Sequence, residues 1–440
     1  MLLRPTRNCY WIACIIFFQL QAELHTIKTT SGQAAMKTRQ IQSKLSKPSL
    51  KLGLENVQDP LWQKLKNNNK KIRIGLITNH TGKDQQDRRS IDILLARGLA
   101  IARIFVPEHG LNGSLRAAQE VKDTIDTKTH IPVVSLYGHG TGKKIPANKL
   151  KDIDMLIFDM QDSGMRHYTY ISTLFYVVQA AGEHNKPIII LDRPNPLGAC
   201  MEGPLVDSTL RSFISVASIP LRHGMTLGEL ARYFNVHVLT KKAELYVISM
   251  LNYDRTLGLT IPYTALSPNL PNKASCYGYS LLGLLGEIRP VYTGTGTDLA
   301  MQCVALAQSN QIKDKEWNQL HGELKKYGIE SEWCDYLTPT KKYHCHGLKL
   351  IMPHINKVAA FQGLLTILKF FHDCQVHLDF SAQFNLAVGT KRVQDYINGK
   401  LTHAQLMNGI NEQLEGFYKI AQSSFIYKPW PQLQIQKKSL

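Results

Sequence analysis

Acidic residues are scarce in this 440-residue chain: 34 Asp and Glu stand against 52 Lys and Arg, giving a formal net charge of +18. Such an excess favours an anionic partner, whether nucleic acid, a membrane surface or an acidic polymer such as cell wall. Other absences narrow the choice. There is no zinc-finger spacing, RNA-binding aromatic motif or recognisable helix-turn-helix, so nucleic acid is set aside. The turn after the first apolar run, Asn79-His80-Thr81-Gly82-Lys83, lacks the Gly-x-Gly-x-x-Gly that lets a backbone approach a pyrophosphate, so no nucleotide is expected. Gly138-His139-Gly140-Thr141-Gly142-Lys143-Lys144 has neither the glycine spacing nor the hydroxyl residue of a phosphate loop, and Gly294-Thr295-Gly296-Thr297 is equally weak. No paired Cys or His cluster stands at zinc spacing. His344-Cys345-His346 are consecutive and point apart on a strand, so neither metal nor other cofactor is expected.

Arg4 and Arg7, the apolar run Cys9 to Phe18 and the ending Leu20-Gln21-Ala22 read as a secretory signal peptide over residues 1–22. The run is too short to span a bilayer comfortably, so no stable membrane span remains after its removal and the mature chain is expected to be periplasmic or secreted. From His25 to Leu54 there are six Lys or Arg and no acidic residue, and residues 23–55 read as a disordered basic leader. Beyond the signal lie Cys200, Cys276, Cys303, Cys334, Cys345 and Cys374, whose pairing spacing cannot decide.

Five apolar runs follow, each ending on polar residues: Lys71–Thr78, Ala100–Val106, Ile131–Leu136, Met155–Phe158 and Lys186–Leu191. Continuous Val/Ile/Leu runs separated by helical stretches are the pattern of doubly covered parallel strands. The expectation is an α/β fold, with a Rossmann-like, mostly parallel sheet over residues 56–240 and a smaller α+β domain over 241–440 completing a cleft. The second half contributes the run Leu245–Ile248 and helical stripes at Leu364, Ile367, Leu368 and Phe371 and at Leu406, Ile410, Leu414 and Phe417.

The stretch Asp159 to Tyr170 joins one of these strands to an amphipathic helix with Ile171, Leu174, Phe175 and Val178 on one face. Ligands in open α/β sheets bind outside the carboxyl ends of strands, so this loop is a site candidate by position. Thr226 and Glu229 form a capping box, which makes Glu229 structural and leaves Arg222 and His223 freer to act.

Eight motifs in order resemble the exo-β-N-acetylmuramidase family of peptidoglycan recycling. They are Thr78 to Gly82, Pro107-Glu108-His109-Gly110, Ser135 to Gly138, Phe158 to Asp162 with Arg166 to Thr173, Asp192 to Pro196, Glu202-Gly203-Pro204, Arg222 to Thr226 and Ser267-Pro268-Asn269. The resemblance implies hydrolysis of β-linked N-acetylmuramic acid from the non-reducing ends of cell-wall fragments, the muramyl glycans of peptidoglycan being the partner. Such hydrolysis needs an acid to protonate the leaving oxygen and a second group to act as nucleophile or to activate water. Glu108 is the expected acid and Asp162 the second carboxylate. Asn79, His109, Gln161, Tyr168, Tyr170, Asn195, Glu202, His223, Asn269 and Glu287 are the expected substrate contacts. Arg166, Arg193 and Arg222 are candidates to grip the lactyl carboxylate through paired hydrogen bonds.

The chain also departs from the family. Glu287 to Thr297 keeps the glutamate and glycines of the family's loop but not its asparagine, serine and arginine, and Gln179 stands where the family often carries a glutamate. These departures favour the alternative of a catalytically weakened or inactive cell-wall glycan-binding protein, whereas the intact Glu108 and Asp159–Tyr170 stretches favour an enzyme. A nucleotide-dependent oxidoreductase lacks its glycine fingerprint.

Export is expected to leave a mature N-terminus near Glu23. Mass spectrometry of the native protein checks this, and an intact Met1 in a membrane fraction would refute it.

Overall fold

The computed structural model of the chain describes residues 49–66, 72–115, 119, 121–137, 143–307 and 312–433. The signal peptide, most of the basic leader and the loop 138–142 lie outside the described residues. The described residues from Leu50 onward belong to one compact unit.

Its centre is a seven-stranded sheet of β1 (Arg73–Thr78), β2 (Ala100–Val106), β3 (Thr124–Ile125), β4 (Pro132–Ser135), β5 (Met155–Asp159), β6 (Ile188–Leu191) and β8 (Leu245–Ile248). The order is β3-β4-β2-β1-β5-β6-β8, parallel throughout except for β3 against β4. Counting only the parallel strands, this is the Rossmann order 3-2-1-4-5-6, which reverses direction between β1 and β5. Alternate side chains feed two cores. Ile74, Leu76, Ile157, Ile189 and Leu191 enter one, while Ile77, Leu156, Phe158, Ile188 and Ile190 enter the other. Burial on both faces is why these strands read as unbroken apolar runs rather than alternating ones.

Helices α1 (Ser90–Ala96), α2 (Tyr170–Glu183) and α3 (Leu227–Tyr233) accompany the sheet. Both halves of the capping box at Thr226 and Glu229 are made, and Glu229 also pairs with Arg255 at 2.6 Å with neither side chain exposed, so it is structural as expected. The second half contributes α4 (Lys273–Leu285), α5 (Asp314–Lys325), α6 (Ala360–Asp373), α7 (Ala382–Val388) and α8 (His403–Ala421), packed with an antiparallel sheet ordered β10 (Cys303–Ala307), β12 (His344–Ile351), β11 (Glu330–Leu337). Two small ladders tie distant segments together: β9 (Ile288–Arg289) with β13 (Asp379–Phe380), and β7 (Cys200–Met201) with β14 (Gln432–Leu433). The predicted stripes on α6 and α8 are buried. They join a core that runs without interruption from Ile77 to Phe425, so the two halves share one apolar interior.

Two boundaries differ from expectation. Leu245–Ile248, expected in the second domain, pairs in parallel with β6 and forms the sheet's outer strand. A four-residue apolar run carries no mark of which sheet it joins; the pairing partner decides. Residues 49–55 are likewise folded rather than part of a disordered leader. Leu52 and Leu54 are buried, Gly53 N–H donates to Asp192 O, and Lys51 bridges Leu251. The run of lysines conceals two leucines that the sheet edge covers.

Candidate active site

The sheet changes direction between β1 and β5, and their carboxyl ends are locked together there. Thr78 Oγ1 donates to Asp159 O at 2.8 Å, and a Cβ on Gly82 would lie 2.0 Å from that same hydroxyl, so only glycine lets the loop pass. A directed chain of hydrogen bonds continues outward. Gln161 N–H donates to Thr81 Oγ1, the Thr81 hydroxyl to Asn79 Oδ1 at 2.6 Å, Asn79 Nδ2 to the Tyr170 hydroxyl at 2.7 Å, and Tyr170 to Leu266 O. Tyr168 donates to the same carbonyl at 2.8 Å. Asn79, Gln161, Tyr168 and Tyr170 are thus brought together with the turn that holds half-buried Asn269.

Glu108 stands just past β2, 7% exposed, where His109 and Gly110 both adopt left-handed backbone with φ 71°. Thr169 Oγ1 donates to Glu108 Oε2 at 2.9 Å, and His109 Nδ1 lies 2.7 Å from Leu115 O. Tyr137 also hydrogen-bonds Glu108; burial and then that negative charge push its phenol up to about 12. Asp162, 4% exposed, accepts Gly164 N–H at 2.7 Å and faces His223 Nε2 at 3.2 Å, both through Oδ2. Oδ1 of Asp162 and Oε1 of Gln161 are buried without a hydrogen-bond partner among the described residues.

Tyr279, on α4, stands in the electrostatic field of both carboxylates. Burial chiefly, then the charges of Glu108, Asp162 and Glu287, push its phenol upward. Its ring lies 4.7 Å from that of His167, whose two nitrogens are buried without partners and whose pKa is pushed down to about 3 by burial and by Arg166. Burial thus favours the neutral form of His167. Thr169 and His167 stand inside the Asp159–Tyr170 stretch but carry no chemical signature of their own. Tyr279 left no signal, being an aromatic on a helix more than a hundred residues downstream.

The three arginines correct an expectation, because each guanidinium is spent inside the protein. Arg166 donates to the carbonyls of Pro204, Ile219, Ala387 and Val388 and to Ser215 Oγ, and burial pushes its pKa down to about 9. Arg193 forms a two-pronged pair with Asp159 at 2.6 and 2.9 Å. Arg222 binds Glu202 at 2.7 Å and the carbonyls of Leu197, Ile355 and Val358. Other expected contacts are also structural. Glu202 accepts the Ala360 and Phe361 N–H groups at the start of α6, and Glu287 accepts the Ser381 hydroxyl at 2.7 Å just ahead of α7. Asn195 closes its own turn by accepting Leu197 N–H and donating to Met225 O. Gln179 lies two turns into α2 and donates to Glu183 on the helix's outer side, away from the strand ends. The residue type at that position therefore does not touch the site.

Two buried carboxylates in separate loops beyond the carboxyl ends of a Rossmann-order sheet define the chain as an α/β protein with a candidate site for acid-assisted glycoside cleavage. It belongs to the exo-β-N-acetylmuramidase NamZ family, whose N-terminal model matches residues 74–274 and whose C-terminal model matches 277–427. The chain is 33% identical over 394 residues to the peptidoglycan β-N-acetylmuramidase NamZ of Bacillus subtilis (strain 168), covering 87% of this chain and 92% of that relative. Two crystal structures of DUF1343 family proteins from Bacteroides fragilis NCTC 9343 share the fold. One has a TM-score of 0.76 at 29% identity, covering 87% of this chain and 100% of the other; the second has 0.69 at 30%, covering 86% and 99%.

Removing one partner of a buried ion pair strands the other charge, at a cost of about 3–5 kcal/mol. Arg222→Met should therefore lower stability by that amount through the uncompensated Glu202, measured by urea denaturation. A variant as stable as wild type would return Arg222 to the list of ligand contacts.

Proposed function

We propose that the chain is an exo-acting glycoside hydrolase that releases β-linked N-acetylmuramic acid from the non-reducing ends of peptidoglycan fragments. The observation that carries this reading is the pair of buried carboxylates Glu108 and Asp162, on the loops that leave the carboxyl ends of β2 and β5. Similarity to a named peptidoglycan β-N-acetylmuramidase over nearly its whole length supports the substrate. The position of Gln179 removes one of the two departures that favoured a glycan-binding protein without turnover.

Glu108 is assigned as the general acid and Asp162 as the second carboxylate. Thr169 and Tyr137 orient the Glu108 carboxyl, and the left-handed His109-Gly110 turn lets a sugar approach it closely. With the arginines turned inward, we assign the lactyl carboxylate to Lys143. Its ammonium lies 3.8 Å from the centroid of the Phe213 ring and 5.0 Å from that of Tyr137, within the field of Glu108. Secretion to the periplasm or beyond is proposed on the N-terminal sequence alone.

Glu108→Gln should lower turnover by about 10²–10⁴, the usual worth of acid–base assistance, and should hurt a poor leaving group more than a good one. The measurement is kcat on two chromogenic β-N-acetylmuramides alongside melting temperature. Equal rates for wild type and variant would remove Glu108 from the role, and no turnover by wild type would leave the binding protein. Lys143→Met should narrow the preference for a muramide over the matching glucosaminide, with Lys143→Arg restoring part of it. An equal change toward both sugars would refute the lactyl assignment.

A further inference from the structure

His223 is fully buried, yet its chemistry is pinned at both ring nitrogens. Met225 N–H donates to Nδ1 at 3.2 Å, which requires a lone pair there and so puts the proton of the neutral ring on Nε2. Nε2 then donates to Asp162 Oδ2. Gly164 N–H donates to the same oxygen, from a backbone with φ 91° where a Cβ would collide with Asn195 Oδ1 at 2.4 Å. Oδ2 is therefore saturated, while Oδ1 has no donor among the described residues although it is buried. A buried acceptor left unmet costs about 1–3 kcal/mol, a penalty that a donor or an electrophile brought by a ligand would relieve.

The imidazole has little freedom to move. Ahead of it, Arg222 is fixed by Glu202 and three carbonyls; behind it, Gly224 turns with φ 62° where a Cβ would meet Ala199 O at 2.8 Å, and Thr226 caps α3. The neighbouring Gln161 repeats the pattern. Its Nε2 donates to Asp162 O and Pro194 O, while its Oε1 remains bare.

We infer that His223 is a positioning residue: with the Gly164 amide it clamps Oδ2 of Asp162, so that Oδ1 is the oxygen presented to the substrate. The inference rests on the hydrolase reading above and deepens it by assigning the working atom. Whether the second carboxylate attacks carbon or activates water, one oxygen does so, and an oxygen already accepting two hydrogen bonds is the poorer choice.

The test uses the full-length protein and a chromogenic β-N-acetylmuramide. His223→Leu removes the donor and should lower kcat by about 10², the scale expected for a misplaced catalytic group, with KM little changed. His223→Gln carries an amide near the position of Nε2 and should recover at least a tenfold part of that loss. Equal losses in both variants, or losses confined to KM, would overturn the inference. A second measurement does not depend on turnover: ¹⁵N spectra of histidine-labelled wild type, with His223→Gln for assignment, should show a protonated Nε2 and an unprotonated Nδ1. The opposite tautomer would refute the clamp even in an active enzyme. A wild type that shows the expected tautomer but cleaves no muramide would refute the hydrolase reading while leaving the geometry of Asp162 intact.

Discussion

The interaction on which most of the molecule depends is the buried pair of Arg222 and Glu202. Arg222 reaches the carbonyls of Leu197, Ile355 and Val358, and Glu202 reaches the first amides of α6. A single ion pair therefore joins the loop after β6, the loop before α3 and the start of a helix in the second half. Two charges out of water are expensive unless every remaining donor and acceptor is met, and here nearly all of them are met by backbone. The geometry this enforces passes directly to His223, the next residue, and through it to Asp162.

Arg166 plays a similar part farther out, bringing the carbonyls of Ala387 and Val388 onto the loop that leads to α2. Planar, permanently charged guanidiniums suit this work because one group can bind several carbonyls at once. The same property makes arginine a natural reader of carboxylate ligands. That is why three arginines in the family-like motifs of this chain suggested ligand contacts and turned out to be structural bolts.

The site lies where sheet order and chain connectivity coincide. The first three parallel strands step away from β1 on one side and the last three begin beside it on the other, and the loops after β1 and β5 meet at this point through the hydrogen bond from Gln161 N–H to Thr81 Oγ1. Glu108 enters from the β2 loop on one flank and Asp162 from the β5 loop, while Tyr279 on α4 of the second half lies within the electrostatic field of both. The turn at Leu266 accepts the hydroxyls of Tyr168 and Tyr170, fastening the second half to the rim.

By itself the sequence determined the sheet: five apolar runs with polar ends are β1, β2, β4, β5 and β6, because a strand buried on both faces must be apolar along its whole length. It determined the rim residues too, since the residue after a strand sits at its end whatever the rest of the chain does. The capping box at Thr226 was legible for the same local reason. Only the tertiary structure decided what those residues touch. Leu245–Ile248 could join either sheet until β6 took it, Leu52 and Leu54 looked like part of a basic tail until the sheet edge covered them, and Gln179 looked like the loss of a catalytic carboxylate until the helix turned it outward. The arginines, Glu202 and Tyr279 belong to this second group, because a charged or aromatic side chain reaches as far in any direction as its neighbours allow. Those neighbours come from segments tens to hundreds of residues away.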